Sequence, residues 1–318
     1  MFKKISKTYF PLLLLLFLAF SFQSCKTTRS LAKEAIEPSA PTEATIFIAE
    51  ELNFEEPLIE TTEDTDSSVV QIPSDENYKY IFFRLYNPAY NNPFYVANML
   101  KNGLKLVKTE QVPDLSHSAI NFDLNDHYYG LTLGGEHQLA SEECAVPKEN
   151  KYMRHCNAEK SEQITYALKV TEKEYENTKE FVEFYLDSTD VRYASILNFK
   201  LAAFFLKNKL FVSKKYKKFG NHKYPKKAKN QKVDLTNDEE VLNDFVCSTF
   251  LGYVLYNNVE SIAKYFDEHD IKYDYLNVTD LSLIPGMTPL FYSSWADYPE
   301  AAAAFVEKYP EFKEYLNN

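Results

Sequence analysis

The chain has 318 residues, 45% of them hydrophobic, with 24 tyrosines, 24 phenylalanines and a formal net charge of -11. So much aromatic material excludes a wholly disordered chain, and the acidic balance gives no basis for nucleic-acid binding. The charge is uneven: residues 31–76 hold thirteen Asp or Glu against one Lys, residues 1–30 hold five basic groups, and residues 77–318 keep only about -4.

The N-terminus has the layout of a secretory signal: three lysines within Met1–Lys7, the apolar run Phe10–Phe20, then a small residue, Ser24, before Cys25. The run falls short of the roughly 20 apolar residues of a membrane helix, and no later segment approaches that length, so the chain is expected to be exported rather than threaded. Ser24 and Cys25 resemble the lipobox of bacterial lipoproteins. That resemblance implies cleavage after residue 24, lipidation of the Cys25 thiol and a lipid-anchored place in the cell envelope; the alternative is a plain signal peptide with a fortuitous cysteine. Residues 25–77 read as an acidic disordered tether, since such a composition buries too little apolar surface to offset chain entropy. Residues 78–318 read as one domain, with no Pro/Gly/Ser-rich linker or internal repeat to divide it.

Within the domain, YIFFRL (80–85) predicts a strand, and residues 95–107 carry apolar groups at helical spacing. SHSAINFD (116–123) alternates as a strand, with His117, Ala119, Asn121 and Asp123 on one face; with HYYGLTL (127–133) it predicts a hairpin. ITYALKV (164–170) predicts another strand. Thr171 and Glu174 then form a capping box, opening a helix that should reach about Asp187. Residues 193–212 predict a buried helical element. From Lys207 to Lys232 there are eleven lysines and no acid. The plain reading is a solvated, mobile insertion; the sharper one is a basic face for anionic lipid head groups or wall polymers. Thr288 to Tyr315, with its AAAA run, reads only as packing helix.

Cys144 and Cys156 flank a polar loop and form a disulfide candidate in an exported protein. With Cys25 lipidated, that arithmetic makes Cys247 the odd thiol. In NDFVCSTFLGYVL (243–255), Asn243 and Asp244 are good N-caps, which places Cys247 in the first turn of an apolar helix. There the helix dipole favours a thiolate; the alternative is one more small apolar residue in a buried helix. Of the six histidines, His155 falls in the presumed disulfide loop, His222 in the lysine insertion and His269 at a solvated helix end. His127 and His137 sit at turns. His117 alone opens an apolar strand that could aim an imidazole inward. HExxH, CxxC, GxSxG and P-loop patterns are absent, so no metal, cofactor or nucleotide is expected.

SHSAINFD, YYGLTL, ITYALKVTEKEYENTKEFVEFY, NDFVCSTFLGYVL and DLSLIPGM, in that order, resemble the circularly permuted NlpC-type papain-like cysteine hydrolases, the YiiX/YaeF-like group, over roughly residues 78–290. The resemblance implies an α+β permuted papain-like domain, an antiparallel sheet packed against a buried helix carrying the nucleophile, with Cys247 as nucleophile and His117 as general base. The family's third, orienting position falls here on Gly130 or Thr132; Asn121 or Asp123, on the face of His117, are the substitutes. Thr249 stands where the family usually has Glu or Gln. Three functions are in view: an envelope amidase or peptidase acting on wall peptide, a thiol acyltransferase or lipase-like enzyme with a lipid acyl substrate, and a silent binding or structural lipoprotein.

Overall fold

In the computed structural model, YKYIFFRLY (Tyr78–Tyr86) forms strand β1 near the middle of the main sheet. The structure describes residues 77–86, 117–125, 128–131, 139–142, 162–187, 190–211, 219, 222–237, 240–294 and 296–316. The expected signal segment with Cys25, nearly all of the expected tether, the expected helix at 95–107, Thr132, and Cys144 with Cys156 lie outside the described residues.

Among the described residues six strands form one antiparallel sheet: β1, β2 (His117–Asn121), β3 (Tyr128–Leu131), β4 (Leu139–Glu142), β5 (Glu162–Thr171) and β8 (Met287–Ser294), in the order β4-β3-β2-β1-β5-β8. The chain is α+β, and the expected hairpin pairs Ala119 with Gly130. Apart from Lys79 and Arg84, β1 is apolar or aromatic on both faces, and each face is covered by its own layer. On one side Lys79 bonds Glu172 and Glu176 of helix α1 (Glu172–Leu186) at 3.5 and 2.7 Å and lies over the Tyr175 ring. On the other side Phe82 meets Phe312 and Tyr315, and Phe291 meets Tyr298 and Phe305. Tyr298 and Phe305 belong to helix α5 (Tyr298–Lys308), and Phe312 and Tyr315 to the 3-10 turn Pro310–Tyr315.

α1 begins where its capping box predicts: the Glu174 amide donates to Thr171 Oγ1 at 3.2 Å, and the Thr171 amide donates to Glu174 Oε2 at 3.1 Å. The free oxygen of the same carboxylate accepts from the Glu260 amide at 2.8 Å, so one side chain caps both α1 and helix α4 (Glu260–Glu268). Helix α2 (Ser195–Phe211) fills the apolar stretch expected to be helical. A two-stranded parallel pair, β6 (Arg192–Tyr193) with β7 (Asp244–Phe245), joins the entrance of α2 to that of helix α3 (Cys247–Asn258).

Two sequence expectations are corrected here. Residues 287–294 are an edge strand on β5, not helix; TPLFYSS is aromatic and extended, and its proline is tolerated because edge strands need not donate. The entry turn needs Gly286, whose φ of 86° is in the left-handed region. The described part of the lysine segment is not a loose insertion. Asn230 donates to Ile271 O at 2.7 Å and accepts from the Tyr273 amide at 3.1 Å, the Val233 amide donates to Asn257 Oδ1 at 2.9 Å, and the Lys223 amide donates to Asn208 Oδ1 at 3.2 Å.

Candidate active site

Cys247 is the first residue of α3, 2% exposed, and every residue from Cys247 to Tyr256 is buried. The entrance differs from the sequence reading. Asn243 and Asp244 do not cap the helix, because their backbone belongs to the parallel pair: the Arg192 amide donates to Asn243 O at 2.6 Å and the Ala194 amide to Phe245 O at 2.7 Å. Val246, extended at φ -108° and ψ 165°, is the N-cap, and no apolar side chain can cap. Thr249 compensates. Its hydroxyl accepts from the Val246 amide at 3.0 Å and donates to Val246 O at 3.1 Å. The helix start is therefore fixed by Thr249. As the first helical residue, Cys247 sits at the positive end of the dipole, where amides lack intrahelical acceptors.

Two contacts hold α3 from beneath. Ser248 Oγ donates to Leu276 O at 2.8 Å, and Gly252 lets Leu276 and Tyr273 approach so closely that a Cβ would stand 2.6 Å from Leu276 Cδ1. Phe181 meets Tyr253, and Tyr185 meets Phe250, so α3 lies beside α1. It also packs on β2 and β3, which gives it the face of Ser118 and Ile120.

His117, 6% exposed, opens β2 directly opposite Tyr86, and the two rings meet edge to face at 5.0 Å and 82°. Tyr86 in turn pairs with Gln163, and Gln163 with Ser293, a polar row across one end of the sheet. Gln163 donates to Ser293 Oγ at 3.0 Å and Ser294 O at 3.1 Å. Alternation along β2 puts His117 on the face of Tyr86 and Arg84. It also stands on the last described rung between β1 and β2, so the imidazole lies at the end of the sheet, not within it.

Asn121 is at the other end of the strand, four residues or about 13 Å away, and Asp123 lies two residues past it in the turn. Asn121 donates to Asp123 Oδ1 at 2.8 Å and Asn125 Oδ1 at 3.0 Å, and Asp123 Oδ1 accepts from the Asn125 amide at 2.9 Å. They build the turn after β2 and do not orient His117. The neighbour that sequence reasoning missed is Tyr86, which lay just past the expected end of the first strand; only register reveals it. His222, expected at the surface, is buried against Phe204 and Tyr224. His269 is exposed at the end of α4, against Tyr265.

Among the described residues no group of three or more His, Cys, Asp or Glu is arranged to hold a metal, and no helix is long and apolar enough to cross a membrane. Comparison with family models, curated proteins and solved structures gives no match for this chain.

Proposed function

We propose that this protein is an exported, lipid-anchored thiol hydrolase of the permuted papain-like type, cleaving an amide bond through Cys247 and His117. The observation that supports it most is the placing of Cys247 as first residue of a helix buried from Cys247 to Tyr256, packed on the strand that a buried histidine opens. In the reaction His117 takes the thiol proton, and Cys247 Sγ attacks the carbonyl carbon. The Cys247 amide, at the helix start, stabilises the oxyanion. His117 then protonates the leaving amine as the C–N bond breaks. Water, deprotonated by the same imidazole, cleaves the thioester and restores the thiol.

The rival reading is a silent domain in which Cys247 only packs. Its 2% exposure and the alternation that gives His117 the opposite face of β2 favour that rival. Alkylation of the full chain by an electrophilic thiol probe, followed peptide by peptide across pH, separates them. The hydrolase reading expects Cys247 to react with a midpoint below about pH 7.5, against about 8.5 for an ordinary thiol, and to slow at least tenfold in His117→Ala. An ordinary midpoint, unmoved by His117→Ala, overturns it. Wall peptides and phospholipids offered in parallel to an active enzyme then tell amidase from lipid acyl chemistry.

A further inference from the structure

The lysine segment carries a second proposal, independent of the thiol. Lys226 and Lys227 form the tip of a turn closed by the Ala228 amide donating to Pro225 O at 2.9 Å. On one side of that turn His222 and Tyr224 are seated among aromatic rings, Phe204 stacking on Tyr224 at 5.4 Å and 10°. On the other side Asn230 is bonded to both Ile271 and Tyr273. The turn is thus a braced projection and not a loose run. Lys223 is tied to the end of α2 through Asn208, the residue after Lys207.

Lys207, Lys223, Lys226, Lys227 and Lys229 are all exposed, and among the described residues none lies within ion-pair distance of a carboxylate. The nearby charges are used elsewhere: Asp270 pairs with Lys272 at 2.8 Å, and Lys232 turns back to Asn257 O at 3.0 Å. Five exposed ammonium groups, none of them ion-paired among the described residues, on a domain whose net charge is negative, make a basic stretch of sign opposite to the domain's net charge.

We infer that this basic ledge docks the domain on an anionic lipid surface, its lysines taking head-group phosphates. Phosphates spread over a bilayer match a projecting row of point charges, and each lysine near such a surface adds to the attraction. The cluster at the base of the ledge includes Val246, the residue before Cys247, so docking would bring the entrance of α3 to the membrane side.

Flotation of the full chain with vesicles tests this, comparing pure phosphatidylcholine with a mixture containing phosphatidylglycerol, in low and high salt. The N-terminal segment is common to all chains, so the difference between variants isolates the ledge. The variant Lys226→Gln/Lys227→Gln/Lys229→Gln should bind anionic vesicles about 100-fold more weakly than the parent. The Lys→Arg version should bind normally, and the parent should lose its preference for anionic vesicles at high salt. Equal binding of parent and Gln variant overturns the proposal. So does a soluble anionic wall polymer that displaces the parent from vesicles at charge concentrations far below those of the lipid, since it would then be the better partner. The readout involves no thiol chemistry, so its failure leaves the hydrolase reading untouched, and the reverse.

Discussion

Arg84 carries its charge into the middle of the sheet, wholly buried, with its guanidinium 3.9 Å from the Tyr128 ring centre and 4.0 Å from that of Tyr298. Two π faces take the cation where water cannot, and the two phenols share a hydrogen bond of 2.9 Å. Burial pushes the Tyr128 phenol well above its ordinary range, which keeps it neutral beside its partner. Two residues further along β1, Tyr86 lays its ring on His117. On the hydrolase reading Tyr86 is a positioning residue that fixes the imidazole by shape. Tyr86→Leu should then slow Cys247 alkylation about fivefold and move its midpoint toward that of an ordinary thiol, while Tyr86→Phe, which keeps the ring, should match the parent. Both profiles come from the same peptide-resolved pH series, and an unchanged profile in Tyr86→Leu would reject the role.

The helices begin where local chemistry and long-range pairing agree, and shift where they conflict. α1 has its cap and its carboxylate three residues apart, and nothing else competes for that backbone. Thr171→Ala should cost about 1 kcal/mol in a urea titration, because Oγ1 satisfies an amide at the helix start. α3 is the opposite case: Asn243 and Asp244 are good caps by type, but sheet pairing claims them and the helix starts three residues after Asp244. The middle of α3 depends on the missing side chain at Gly252. Gly252→Ala should destabilise by about 1–3 kcal/mol, since the new methyl group meets Leu276 and the Tyr273 Cβ, and a stability equal to the parent's would count against so close an approach.

At the scale of the whole domain, the sheet needs both of its covering layers. The C-terminal residues supply one of them: Tyr298 closes over Arg84, Phe305 and Phe312 pack together at 5.2 Å, and the Tyr315 hydroxyl accepts from the Tyr80 amide at 3.1 Å. A chain truncated after Ser294 would expose Phe82, Phe291 and a buried cation at once. It should lose its cooperative urea transition and bind a hydrophobic dye, whereas a cooperative transition near the parent midpoint would show that the layer is dispensable.

The sequence alone determined the features that depend on near neighbours. The strand YIFFRL, the β2–β3 hairpin, the Thr171 capping box and the apolar helix of Cys247 were legible because alternation, spacing and cap chemistry act over a few residues. Cys247 and His117 stood out for the same reason, as a thiol at a helix head and a histidine at a strand head. Only the tertiary structure decided that residues 287–294 form an edge strand, that Tyr86 rather than Asn121 or Asp123 stands against His117, and that the lysine turn is braced on both sides. Each of these depends on a partner far along the chain, such as Gln163 for Ser293, Tyr86 for His117 and Asn230 for Ile271, and no local pattern encodes which distant backbone will claim a residue.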